Sequence, residues 1–167
     1  QLRQEVMLLA ASGGECRSRY DHRVSEEAST EEPAVLTEQR GRILIITINR
    51  PKAKNAVNAA VSNGLAAAMD KLDDDPGLSV GIVTGAGGSF CAGMDLKAFA
   101  RGENVVAEGR GLGFTERPPA KPLIGAVEGY ALAGGMEIAI ACDLLVANDK
   151  AQFGIPEVKR SLVAAAG

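Results

Sequence analysis

Residues 122–147 read Pro122-Leu-Ile-Gly-Ala-Val-Glu-Gly-Tyr-Ala-Leu-Ala-Gly-Gly-Met-Glu-Ile-Ala-Ile-Ala-Cys-Asp-Leu-Leu-Val-Ala147, and this stretch decides the fold. Pro122–Glu128 is a short apolar run, a buried strand by its length and composition. Gly134–Ala141 carries helix formers behind a pair of glycines. Asp143–Ala147 is apolar again and reads as another strand. Strands that alternate with helices in this way run mostly parallel, which places the chain in the α/β class.

The same alternation continues outward. Upstream, Ile43-Leu-Ile-Ile-Thr-Ile48 is a β-branched strand that Asn49-Arg50-Pro51 ends. A helix is expected from Asn58, a good N-cap, to Asp74, with Val61, Leu65, Ala68, Met69 and Leu72 on one face and Pro76-Gly77 stopping it. Ser79–Thr84 is a further strand, Gly85–Gly88 a loop and Leu96–Ala100 a short helix. Arg101–Lys121 is rich in glycine and charge and lacks a period, so it is expected to be a surface loop or broken helix covering a site. Ala151-Gln-Phe153 adds a short strand, and Ser161–Gly167 is an apolar tail without a stop signal.

Order is expected to begin near Ala34. Residues 1–32 mix charge with Ser, Gly and Thr and read as a mobile tail, leaving 33–167 as one folded domain. The first residue is Gln, so either the numbering is expected to start inside a longer chain or upstream residues are expected to have been removed. One internal similarity stands out: Gly93-Met94-Asp95-Leu96 resembles Gly135-Met136-Glu137-Ile138, the mark of a repeated strand–turn–helix unit.

Composition removes several function classes. A net charge of −3 and a pI near 5.3 argue against a nucleic-acid partner. No apolar run nears the ~20 residues of a membrane span, so no membrane partner is expected. Cys16, Cys91 and Cys142 are odd in number and form no CxxC, which argues against disulfides or zinc and for a reducing, cytoplasmic setting. The lone histidine, His22, lies in the tail, so no Ser–His or Cys–His mechanism has a base in the core. Gly85-Ala-Gly87 follows a strand, but the third glycine of a dinucleotide fingerprint falls on Phe90, and no P-loop lysine follows.

What remains is two glycine-rich turns and a few acids. Glycine turns are commonly no more than tight connections. Gly134, however, opens a helix, so its N–H has no intrahelical partner and gains from the helix dipole. Two such amides that converge make an oxyanion hole. Glu137 lies in the first turn among Met136, Ile138, Ala139 and Ile140. First turns favour acids, yet a carboxylate is costly to bury in so apolar a helix without a task or partner. Glu157 alone could be a solvated loop acid.

The ordered motifs Asn49-Arg-Pro51 with Asn55-Ala56, Ser89-Phe-Cys-Ala-Gly-Met-Asp-Leu96, Lys121–Ile124, Gly129–Glu137, Ala141-Cys-Asp143 and Phe153-Gly-Ile-Pro-Glu157 resemble the crotonase (enoyl-CoA hydratase/isomerase) family, mycobacterial-type members above all. The resemblance covers about residues 35–167. It implies a spiral of ββα units that binds an acyl-CoA thioester and lacks its C-terminal helical region. It implies an enoyl-CoA hydratase of the fatty-acid β-oxidation type, with coenzyme A as part of the substrate and no other cofactor or metal. The amides of Met94 and Gly134 would be the oxyanion-hole donors, with Asp95 bracing the first turn. Glu137 would activate water and Glu157 deliver a proton to the α-carbon. Ala92, Asp95, Leu96, Lys52 and Lys54 would line the CoA path, with Lys97 nearby, although lysines there are as readily plain surface residues. Phe99 and Phe114 would line the acyl pocket or belong to the core.

Isomerases of the family often lack one of the two acids, so their joint presence favours hydration. The family continues past Gly167 with a region that completes the pocket and builds homotrimers or hexamers. The alternatives are another reaction of the family, or an inactive fragment that binds acyl-CoA or protein partners through apolar surface. Ala133 stands where the family's usual triple glycine has its first member.

Overall fold

The structure is a computed structural model that describes residues 32–160 and 163. The tail expected over 1–32 lies outside the described residues apart from Glu32, as do Cys16, His22 and all of Ser161–Gly167 except Val163. The strands are β1 (Val35–Arg40), β2 (Ile43–Ile48), β3 (Val80–Gly85), β4 (Leu123–Val127), β5 (Tyr130–Leu132), β6 (Leu144–Ala147) and β7 (Gln152–Gly154). The helices are α1 (Ala59–Asp74), α2 (Leu96–Ala100) and α3 (Gly134–Ile140).

Five strands form one sheet in the order β1-β2-β3-β4-β6. Within it β2, β3, β4 and β6 are parallel, as the alternating pattern predicts. β1 is the exception. It pairs antiparallel with β2 across a two-residue turn, Arg40 facing Ile43. Its burial runs intermediate at Val35 and exposed from Leu36 to Arg40, so it carries none of the apolar signal that marks the inner strands.

A second layer repeats the order of the first. Val57 follows β2 and bridges Met94, which follows β3; Cys91 bridges Ala131 in β5, which follows β4; and β5 pairs with β7, which follows β6. Each of the parallel strands β2, β3, β4 and β6 thus leads into a short segment of the second layer, and after it comes α1, α2, α3 or the 3-10 turn Pro156–Arg160. This is a spiral of ββα units. The repeat has a different register from the one the sequence suggests. Cys91 stands opposite Ala131, so Met94 comes alongside Gly134 rather than Met136. The similarity of Gly-Met-acid in the two stretches is offset from the hydrogen-bonded pairing, because ladder register follows the backbone and not the side-chain names.

α1 forms as its apolar face predicts. The Asn58 side chain accepts from Val61 N, a cap worth about 1 kcal/mol. Val61, Leu65, Ala68, Met69 and Leu72 are buried in the same core as Leu44, Ile46, Ile48, Val83 and Leu123.

The segment 101–121 corrects the expectation of a surface loop. It is irregular, but Val105, Ala107, Leu112 and Phe114 are buried, and Phe114 belongs to the core. Arg110, also buried, pairs with Asp70 of α1. The Asp73 carboxylate accepts from the amides of Ala120 and Lys121, while Lys121 Nζ donates to Leu72 O and Asp75 O at the end of α1. The segment is stapled to α1 by partners far away in sequence, which no local period records.

Candidate active site

Two backbone turns meet where the second layer hands over to α2 and α3. The segments around Cys91 and Ala131 run parallel, with Cys91 N donating to Tyr130 O (2.7 Å) and Leu132 N to Cys91 O (3.0 Å). Continued in that register, Gly93-Met94 lies beside Ala133-Gly134. A Cβ placed on Gly93 would stand 2.8 Å from Ala133 Cβ and 3.4 Å from Gly134 N.

The same device aims both amides. In a trans peptide the C=O and N–H point to opposite sides. Gly93 O is taken by Val57 N at 2.8 Å, so the N–H of Met94 faces away from Val57, towards the second turn. Ala133 O accepts from Met136 N and Glu137 N at 2.8 and 3.2 Å, so the N–H of Gly134 points out of the helix start. Among the described residues neither N–H has an acceptor. A Cβ on Gly134 would lie 3.7 Å from Met94 N and 3.7 Å from Glu137 Oε2. Two unclaimed amides and one carboxylate therefore share a single spot. Such a spot can receive an oxygen that gains negative charge and can pass a proton beside it.

The turn is strained. Ala133 has φ 54° and ψ −130°, a backbone region that a Cβ disfavours. Its amide is tied to Gly154 O (2.8 Å) of β7, which helps hold the conformation. Ala133→Gly relieves the strain and is expected to raise stability by about 1 kcal/mol, after allowance for the greater chain entropy of glycine. Urea denaturation reads this as a higher midpoint, and a lower midpoint would show the conformation to be unstrained.

The other expected residues fall as follows. Glu137 is buried at 6% exposure in the first turn of α3. Glu157 lies in the first turn of the 3-10 segment Pro156–Arg160, just beyond the Gly154 that holds Ala133, and its Oε2 is buried without a hydrogen-bond partner among the described residues. β5–β7 pairing therefore brings the Glu157 segment to the turn that carries Gly134. Asp95 is the N-cap of α2, accepting from Lys97 N and Ala98 N, and pairs with Arg50 at 2.9 Å. Burial works against its charge, but the Ala98 amide, the Arg50 guanidinium and the Lys97 amide together hold its carboxyl below the usual range.

Ala92 donates its N–H to Lys54 O (3.0 Å). Lys54 is exposed at φ 50°, its ammonium 4.6 Å above the Tyr130 ring centre. Lys52 and Lys97 are exposed, as are Leu96 and Phe99. Phe99 is therefore not a core residue, whereas Phe114 is. Cys91 lies in the core and Cys142 packs against it, partly buried. Burial pushes the Cys91 thiol up to about 11, and burial with the Asp143 charge pushes Cys142 up to about 12. Sequence reasoning had Arg50 and Asn55 only as motif letters. The structure places them in a partly buried network behind Met94.

The chain is similar to known proteins. Residues 38–167 match the family described as enoyl-CoA hydratase/isomerase. Enoyl-CoA hydratase EchA19 of Mycobacterium tuberculosis is 45% identical over 138 residues, 78% of this chain and 52% of the relative. Mevalonyl-coenzyme A hydratase sidH of Aspergillus fumigatus is 44% identical over 130 residues, 75% of this chain and 48% of the relative. The crystal structure of enoyl-CoA hydratase EchA1 from Mycobacterium marinum superposes with a TM-score of 0.80 at 81% identity, covering 81% of this chain and 54% of that one. The chain spans about half the length of the curated relatives it matches. On its fold, its paired turns and these matches, the chain belongs to the enoyl-CoA hydratase/isomerase (crotonase) family.

Proposed function

We propose that this chain is the acyl-CoA-handling half of an enoyl-CoA hydratase, adding water across the 2,3 double bond of an enoyl-CoA thioester as in fatty-acid β-oxidation. The observation that carries the reading is the convergence of Met94 N, Gly134 and Glu137 Oε2 on one spot. There the thioester oxygen accepts from the Met94 and Gly134 amides. Glu137 takes a proton from water as the water oxygen bonds to the β-carbon, and the double-bond electrons move towards the thioester oxygen. Glu157, in its acid form, gives a proton to the α-carbon as the enolate collapses. The C=C π bond, one O–H of water and the O–H of Glu157 break, while the C–O, the C–H and an O–H on Glu137 form, and the two acids exchange roles until solvent restores them.

Asp95 braces the first turn, while Ala92, Leu96, Lys52 and Lys54 border the CoA path. The reaction uses no cofactor beyond the coenzyme A of the substrate. A cytoplasmic location and a trimeric or hexameric assembly belong to the same proposal. Among the described residues no helix is long and apolar enough to cross a membrane. Relatives that are an enoyl-CoA hydratase and a mevalonyl-coenzyme A hydratase support hydration as the reaction.

A second reading, a fragment that binds through apolar surface without turnover, is favoured by one observation. Leu144, Val146 and Val158 are 64, 66 and 80% exposed. Loss of enoyl-thioester absorbance with crotonyl-CoA separates the two. Turnover that vanishes in the Glu137→Gln/Glu157→Gln double variant establishes the hydratase. A folded chain that binds CoA thioesters without turnover establishes the fragment. Conversion of a 3-enoyl-CoA with crotonyl-CoA left untouched would instead make the chain an isomerase.

A further inference from the structure

The Met94 amide is useful only if its direction is held, and the groups that hold it lie outside the site. Gly93 O accepts from Val57 N, and Asp95 N donates to Val57 O, both at 2.8 Å. Met94 is therefore clamped on each side to one residue, Val57. What fixes Val57 and Asp95 is Arg50. Its Nη2 lies 2.9 Å from Asp95 Oδ2, and its Nη1 donates to Ala56 O, the carbonyl of the peptide that carries Val57 N. One planar guanidinium thus grips both anchors of the Met94 peptide, each with its own nitrogen of a rigid fork.

Arg50 is itself fixed by Asn55. Its N–H donates to Asn55 Oδ1 and its C=O accepts from Asn55 N, both at 2.9 Å. Asn55 is fully buried at φ 57°, a left-handed conformation that asparagine tolerates, and its Nδ2 donates to Ala86 O and Ser89 O in the loop after β3. The Arg50 and Asp95 side chains are 23% and 14% exposed, so water screens their attraction only in part.

We propose that Arg50 is a positioning residue for the Met94 N–H, acting through Asp95 and the Ala56–Val57 peptide; this rests on the hydratase reading above. Without the guanidinium, the half-buried Asp95 carboxylate loses its cation and Ala56 O its donor, and the peptide between them is free to tilt. A displacement of order 1 Å at such a donor costs on the order of 10²-fold in rate.

The test reads the thioester carbonyl directly. Butyryl-CoA, labelled with carbon-13 at the carbonyl, is saturated and does not react. Bound to the native chain, it is expected to show a lowered infrared C=O stretch, as two aligned amides polarise it. Arg50→Met is expected to lose roughly half of that shift or more, as one of the two donors drifts. It is also expected to lower kcat on crotonyl-CoA by about 10–100-fold with little change in KM, because the donor works mainly in the transition state. Arg50→Lys is expected to fall between the two.

A full native shift in Arg50→Met, with any loss of kcat matched by the fraction unfolded, would make Arg50 a purely structural staple and overturn the proposal. Should Arg50→Met fail to fold, Arg50→Lys decides by the same comparison: a reduced shift supports the proposal and a native one overturns it. No shift in the native chain would remove the oxyanion reading itself, an outcome distinct from failure of the role given to Arg50.

Discussion

Glu137→Gln is expected to lower kcat on crotonyl-CoA by about 10²–10⁴-fold, the usual weight of a positioned acid–base group. The substitution keeps the shape of the side chain and removes its capacity to take a proton from water. Glu137 sits in the first turn of α3 at 6% exposure, its Oε2 beside the spot that Met94 N and Gly134 border. Nothing in that geometry gives the carboxylate a large share in binding the CoA portion of a thioester. KM is therefore expected to change little, and the helical circular dichroism not at all. The kinetic signature is a fall in kcat and kcat/KM together. A loss below about threefold would remove Glu137 from the chemistry. A raised KM with kcat intact would recast it as a binding group.

The second large effect is on stability. Gly135→Ala is expected to cost about 3 kcal/mol or more, since it forces a methyl group against backbone. A Cβ there would lie 2.1 Å from Cys91 O, 2.8 Å from Cys91 C and 2.9 Å from Cys91 Cβ. Cys91 cannot retreat. Its N–H is bound to Tyr130 O and its C=O to Leu132 N, the very pairing that sets the two turns side by side. Gly134→Ala makes the instructive comparison. Its worst contact is Leu112 Cδ1 at 2.6 Å, the mobile end of a side chain, so the fold yields there more cheaply. Its methyl would instead enter the spot between Met94 N and Glu137. Adjacent glycines thus separate stability from function. Urea titration of both variants tests the contrast, and equal midpoints would mean that α3 does not pack on Cys91 as described.

Much of this protein was legible before its structure. The inner strands announce themselves as short apolar or β-branched runs, and the helices by an apolar face with Asn58 ahead of it, because burial and capping are local choices. α2 and α3 fall within a residue of the expected bounds for the same reason. Glu137 was conspicuous because a carboxylate in an apolar first turn is expensive. The sequence by itself therefore determined the parallel α/β class, and its ordered motifs named the family.

Tertiary structure decided the rest. β1 faces solvent along most of its length and β5 is only three residues long, so neither carries a period that could be read. The segment 101–121 owes its order to Asp70 and Asp73 on α1, partners that no local pattern points to. The family resemblance already names Met94 and Gly134 together, while the internal similarity of letters sets Met94 against Met136; backbone hydrogen bonds from Cys91 to Tyr130 and Leu132 give the physical reason why Met94 comes beside Gly134. The direction of the two amides depends on which carbonyl each peptide gives away, to Val57 in one turn and to α3 in the other. A sequence can supply glycines that permit such turns, but only the packed ladders and the Arg50 grip behind them can aim the N–H groups at one point.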